Sequence, residues 1–219
     1  PDALELPRWD GAAGFPFPTG HGLCLNTHNA SLEQQWDWLK QTKPAYLQTY
    51  PSIVRGFAER AVREGNPPTL ESIVTIGEVA DGELRELAAR HLKARIQDIY
   101  ASQEAGSMAI QCPEHPVLHV QAESVVLEIL NERGGRCAVG ETGRVVVTPL
   151  VNYATPLFRY EIGDYVESKG DGYLVHGRKR DALRGVDGRL LTTRMVDQAF
   201  AGTSGLAHYQ VRQKSDGSV

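Results

Sequence analysis

The chain has 219 residues, 41% hydrophobic and 23% charged, with 23 Lys+Arg against 27 Asp+Glu for a formal net charge of −4. That composition excludes a disordered chain and gives no electrostatic reason to expect a nucleic acid or an anionic membrane as partner. No apolar run nears the ~18 residues of a membrane span, and the N-terminus Pro1-Asp2-Ala3-Leu4-Glu5 is not a signal peptide. Three cysteines far apart (Cys24, Cys112, Cys137) argue against a disulfide framework, so a cytoplasmic location is expected.

Residues 1–30, with Pro7, Pro16 and Pro18, read as coil. Ser31 then caps a helix, with Gln34 at the capping-box spacing and Leu32, Trp36 and Leu39 on one face, stopped by Pro44. Residues 45–50 read as a short strand. Ile53, Phe57 and Ala61 mark a second helix that ends before Gly65. Leu70–Ile76 is a β-branched run, Asp81 caps a helix carrying Leu84, Leu87, Ala88 and His91, and Ala94–Tyr100 is another strand. Strand, helix and strand within about 30 residues make a βαβ unit, whose right-handed crossover lays the strands parallel. The second half changes character: 125–130, 143–150, 157–160, 164–168 and 173–176 read as short strands between turn residues, a twisted antiparallel sheet or small barrel. After Gly177 comes the charged run Arg178-Lys179-Arg180-Asp181, then Gly185 and Gly188, which suit a linker or hinge. The fold class expected is α/β: a parallel βαβ sheet, then a small antiparallel barrel-like subdomain, then the start of a small α+β C-terminal domain. The boundaries are 1–177 and 178–219.

Ligands of open parallel sheets bind beyond the carboxyl ends of the strands. Gly77-Glu78 follows one such end and Ser102-Gln103-Glu104 the other, so Glu78, Asp98, Tyr100 and Glu104 are expected to face one crevice. An aromatic face, a hard carboxylate oxygen and hydroxyl or amide groups suit a nucleotide with its Mg²⁺. The same residues also read as solvated loop acids around a core tyrosine. Asp164, after Gly163, can accept both hydroxyls of a ribose or close its own turn. Arg178 can pair with phosphate or ribose oxygens or stand free at the hinge. Cys112, His115 and His119 fall short of the four ligands of a structural zinc, and no nucleophile elbow is present.

The order of these pieces resembles the adenylate-forming (acyl-activating) superfamily. The motifs are Ile76-Gly77-Glu78, the run from Asp98 through Tyr100 and Glu104 to Gly106, the run from Gly140 to Leu150, the run from Pro156 through Arg159 to Asp164, and Gly177-Arg178. The branch most similar holds phenylacetate–CoA ligases, coenzyme F390 synthetases and capsule-biosynthesis relatives, and the turn Tyr50-Pro51-Ser52 fits it too. The resemblance implies ATP-dependent conversion of a small carboxylic acid to an acyl-adenylate, then transfer to a thiol such as coenzyme A. It implies that Gly77 and Glu78 line the adenine pocket and Tyr100 stacks on adenine. Glu104 would hold Mg²⁺, and Asp164 the ribose hydroxyls with Arg178 assisting. Arg180 falls at the hinge, and Gly106 and the residues near Tyr50 border the acyl pocket. Ser102 and Asp98 join the nucleotide-binding set. The partners expected are a small acid, no nucleic acid and no membrane, with a homodimer left open. The departures are Ala101 in place of Gly, Gln103 in place of Ser or Thr, Arg180 in place of a hinge acid, and no CxCG segment after Asp164. No Ser/Thr/Gly-rich phosphate loop ending in Lys occurs in these residues, nor the family's C-terminal Lys. The expectation is therefore a partial chain that is inactive alone. The competing reading is a non-catalytic nucleotide-binding or interaction module that kept the fold.

Overall fold

The computed structural model describes residues 2–8, 20–200, 203 and 209–214. Pro16 and Pro18 lie outside the described residues, as does much of 201–219. The coil expected over 1–30 is partly wrong: Ala3–Leu6 (β1) and Gly22–Leu25 (β2) pair antiparallel. Neither segment has the alternation that would announce a strand. Each is four residues long, and each becomes a strand only through the other.

Two helices follow for local reasons. In Leu32–Thr42 (α1) the Ser31 hydroxyl accepts from the Gln34 N–H, and the Gln34 side chain accepts from the Ser31 N–H, so the expected capping box is complete. Lys43, left-handed at φ 48°, closes the helix just before Pro44. Pro51–Glu64 (α2) starts on a proline, whose missing N–H costs nothing in the first turn. Trp36 and Phe57 join the two helices at a ring separation of 5.5 Å, and the Trp36 indole N–H donates to Glu64.

Tyr46–Thr49 (β3), Ser72–Ile76 (β4) and Arg95–Ser102 (β5) lie side by side and parallel. Between β4 and β5 runs Gly82–Leu87 (α3), capped by the Asp81 carboxylate, which accepts from Leu84 N–H. It then widens into a π-helical turn, Ala88–Leu92. The expected βαβ unit is therefore present. Trp36, Leu39, Val54, Phe57, Ile73, Leu84 and Leu92 form the core between the helices and these strands.

From β5 onward the same sheet turns antiparallel. Gly106–Gln111 (β6) and Leu118–Val120 (β7), which the sequence does not announce, link β5 to the later strands. Val125–Leu130 (β8), Thr142–Pro149 (β9), Tyr160–Ser168 (β10) and Tyr173–Arg178 (β11) complete it. The strand order is β3-β4-β5-β6-β7-β11-β10-β9-β8. Residues 157–159 are loop rather than the expected strand, and the strand expected at 164–168 is the second half of a longer one. A second core, with Met108, Val125, Val145, Val147, Ile162 and Val166, fills the antiparallel part.

Past β11 a single 3₁₀ turn, Lys179–Asp181, leads to the two-residue pair Leu183–Arg184 (β12) and Leu190–Leu191 (β13), then to Thr193–Phe200 (α4). The expected linker is thus a turn and a minimal hairpin. Among the described residues no helix is long and apolar enough to cross a membrane.

Ile73 is fully buried where β4 meets the helices. Ile73→Ala removes three methyl(ene) groups from a site that cannot collapse. It should cost about 2–5 kcal/mol, read as a lower urea midpoint at unchanged m.

Candidate functional site

Asp164 lies on β10 between Ile162 and Val166, on the buried side of the strand. Its carboxylate is gripped from two sides. The Tyr100 hydroxyl donates to Oδ2 at 2.6 Å, and the Arg178 guanidinium stands 3.1 Å from Oδ1. Arg178 also donates to the Ile162 carbonyl at 3.2 Å, which holds its fork in place. Four inter-strand steps separate β5 from β10 in the sheet order. In a flat sheet that is roughly 19 Å, beyond the reach of a tyrosine. The Tyr100–Asp164 bond therefore exists only because the antiparallel part curls back toward β5, the barrel-like curvature expected from the sequence.

Burial pushes the Asp164 carboxyl above its ordinary range. Tyr100 and Arg178 pull it down, and the nearby Glu104 charge pushes it up. Burial, then the Asp164 charge and hydrogen bond, drive the Tyr100 phenol far up, so Tyr100 is a permanent donor. Each Asp164 oxygen keeps lone-pair capacity beyond the one bond it accepts. The face of Arg178 is half open to solvent. Both oxygens therefore keep acceptor capacity for a further donor.

Glu104 stands in the turn between β5 and β6. Ser102 Oγ accepts from Ala105 N–H at 3.1 Å and so shapes that turn. Among the described residues no cation pairs with Glu104, and its charge is felt at Asp164. Asp98 projects from the same face of β5 as Tyr100, two residues earlier. It accepts from Thr75 Oγ1 at 2.7 Å and lies 3.9 Å from Arg85, while burial pushes it up. Beside it opens a cavity of about 90 Å³ whose walls include Val79, Ala80, Arg85, Gln111 and Arg194.

Gly77 and Glu78 do a different job. Gly77 is left-handed at φ +83°, and a Cβ there would come 3.1 Å from the Tyr50 ring. Both Glu78 oxygens are taken by the start of α2, the Ser52 N–H at 2.8 Å and its hydroxyl at 2.9 Å. Tyr50, the N-cap, makes no side-chain cap bond, so Glu78 supplies the cap from the neighbouring strand end. The structure thus brings Asp98, Tyr100, Ser102, Glu104, Asp164 and Arg178 toward one face, with Glu78 fastening the helix beside it.

Arg180 is exposed, and its nearest acid is its neighbour Asp181 at 3.5 Å. The turn Lys179–Asp181 is anchored instead by residues to which the motifs assign no role. Glu161 holds Lys179 at 3.0 Å and Arg144 at 2.8 Å, and these two cations keep its carboxyl below the usual range. Sequence reading also missed Thr75 and Arg85 around Asp98, and the His176–Thr192 contact at 2.9 Å. Each joins residues far apart in the chain, and no local pattern marks them. Among the described residues no group of three or more His, Cys, Asp or Glu is arranged to hold a metal ion, Cys112, His115 and His119 included.

No protein-family model matches the chain, and neither does any curated protein. Solved structures do match. A 2-hydroxyisobutyryl-CoA ligase in the postadenylation state, in complex with 2-HIB-AMP, superposes at TM-score 0.69 with 19% identity, over 80% of this chain and 41% of that one. An anthranilate CoA ligase in complex with anthranoyl-AMP gives 0.63 with 18% identity, over 76% and 35%. A benzoate CoA ligase from Burkholderia xenovorans gives 0.54 with 19% identity, over 69% and 35%. At these identities the likeness is one of fold, and the chain spans well under half the length of the structures it matches.

Because burial raises the Asp164 pKa above 3.8, the folded state holds its proton to higher pH than the unfolded chain. The ionised group therefore opposes folding increasingly as pH rises from below 3.8 through the folded value. Asp164→Asn keeps an acceptor for Tyr100 and removes the buried charge. It should be as stable as the parent at pH 3 and equally or more stable at pH 7, by thermal unfolding at both pH values.

Proposed function

We propose that this chain is the nucleotide-binding part of an enzyme that activates a carboxylic acid as its acyl-adenylate and passes the acyl group to a thiol such as coenzyme A. The observation that carries the reading is the buried Asp164, held by Tyr100 and Arg178 with spare acceptor capacity on both oxygens. It lies on a fold shared with CoA ligases, two of those matched being complexed with acyl-AMP species. A buried carboxylate that costs stability and faces an open guanidinium is the signature of a site kept for a ligand.

In this reading the ribose hydroxyls of ATP or AMP donate to Asp164, and the base extends along β5 past Tyr100 toward the cavity at Asp98. Ser102 shapes the turn that presents Glu104. Glu104, with no cation partner among the described residues and its charge pressing on Asp164, has the hard-oxygen chemistry that Mg²⁺ takes. Such an ion would supply charge neutralisation at the phosphates. Arg178 orients Asp164 and adds positive charge on the phosphate side. Gly77 and Glu78 act at one remove, by fixing the start of α2 and the Tyr50 ring at the rim of the crevice. Residues 1–177 would form the large domain's share and 178–219 the hinge and the first stretch of a small mobile domain, with Arg180 free at the hinge surface to find a partner on movement.

The direct test is AMP binding by calorimetry at pH 7.5. The chain should bind AMP, and Asp164→Ala should weaken it at least tenfold while Arg180→Ala leaves it unchanged. Equal affinity for the parent and Asp164→Ala would falsify the ribose assignment. Binding that survives in a full-length protein showing no acid-dependent pyrophosphate exchange would favour a non-catalytic module instead.

A further inference from the structure

The cavity at Asp98 is built by two distant parts of the chain. Val79 and Arg85 come from the region after β4, Asp98 and Gln111 from β5 and β6, and Arg194 from the first turn of α4. Arg194 is the residue the fold does not explain. Among the described residues no carboxylate pairs with it. Its neighbours are Arg85, which burial holds below its ordinary value against the Asp98 charge, with Arg194 adding to the lowering and Asp81 opposing it, and His176, which burial lowers and Arg194 lowers further. Lys169, just past β10, also opposes a charged His176, while Glu167 favours it. A half-buried guanidinium beside another cation, in a helix turn where the macrodipole is already positive, weakens the fold.

The segment that carries Arg194 is nonetheless seated firmly. Thr192 Oγ1 lies 2.9 Å from His176 Nδ1, and the other ring nitrogen lies 3.0 Å from Glu167. Thr192 is fully buried. Gly177, at φ +102°, leaves room for Thr193, whose hydroxyl a Cβ would meet at 2.8 Å. α4 is thus docked on β11, and the docking places Arg194 at the cavity wall. The rest of that wall is partly apolar, with Leu118 and Val175. A planar guanidinium without a salt-bridge partner among the described residues, lining a cavity of mixed apolar and polar walls, is suited to lie against a flat heteroaromatic ring.

We propose that Arg194 is a base-contacting residue of the nucleotide site, carried into it by α4, so that nucleotide binding and docking of residues 192–200 favour each other. The inference rests on the nucleotide reading above and deepens it. Asp164 holds the sugar, Arg194 covers the base, and the C-terminal segment is one wall of the pocket rather than a neighbour of it. Coupling of this kind is reciprocal: whatever the base gains from a docked α4, α4 gains from a bound base.

The test compares AMP with ribose 5-phosphate, which keeps the sugar and phosphate and lacks the base. Affinities are measured by calorimetry and by displacement of a fluorescent AMP analogue, for the parent, Arg194→Ala, Arg194→Lys and Asp164→Ala. Arg194→Ala should weaken AMP about tenfold, the order of a guanidinium–ring contact, and leave ribose 5-phosphate unchanged. Arg194→Lys should behave more like Ala than like Arg, because an ammonium cannot lie flat on a ring. Amide exchange across 192–200 should slow with AMP and not with ribose 5-phosphate. Unchanged AMP affinity in Arg194→Ala, equal weakening of both probes, or exchange indifferent to AMP would each overturn the inference. If Asp164→Ala loses both probes while Arg194→Ala loses neither, the sugar site stands and the base contact falls. A parent chain that binds no AMP overturns both.

Discussion

A carboxylate inside a β-sheet is the feature on which the rest of this molecule turns. Asp164 is 5% exposed, and taking its charge out of water is unfavourable unless the charge is paired and hydrogen-bonded. The chain meets that condition with one donor from β5 and one from β11. Because β5 and β10 are not neighbours in the sheet, the bond to Tyr100 records how far the antiparallel strands curl. The curvature, the second hydrophobic core and the position of Arg178 are thus consequences of one geometry.

The parallel end of the sheet plays a supporting part. Its strand ends carry polar residues as expected, but their tasks divide. Glu78 is spent on the first turn of α2, where two donors need an acceptor. Asp98 is held by Thr75 and sits beside Arg85, which donates to the Ile96 and Ala80 carbonyls and so ties α3 to β5. Among the described residues Glu104 is left with neither a helix end, a hydroxyl nor a cation. Residues alike in the sequence, each an acid just beyond or near a strand end, are separated by what the fold brings to them.

The C-terminal side is fastened by two independent attachments, the Arg144–Glu161–Lys179 ion triad at the turn Lys179–Asp181 and the Glu167–His176–Thr192 chain beneath α4. The first is partly exposed and salt-sensitive; the second is buried. Arg180, between them, touches only its own neighbour.

Much of this was legible in the amino-acid sequence. The capping box at Ser31, the βαβ unit, the alternating strands of the second half and the ordered motifs from Gly77 to Arg178 are local patterns, and local backbone preferences write them down in order. Tyr100, Asp164 and Arg178 were legible as candidates for the same reason. Other features were not written locally: β1 and β2, the capture of Glu78 by Ser52, the pairing of Lys179 with Glu161, and the arrival of Arg194 near Arg85 at the cavity wall. Each depends on residues tens of positions apart, and only burial and strand pairing bring them into contact. The sequence by itself determined which side chains could offer acceptors to a ligand. The tertiary structure decided which of them are free to do so, because a carboxylate already satisfied by a helix end or a hydroxyl has little left to offer a ligand.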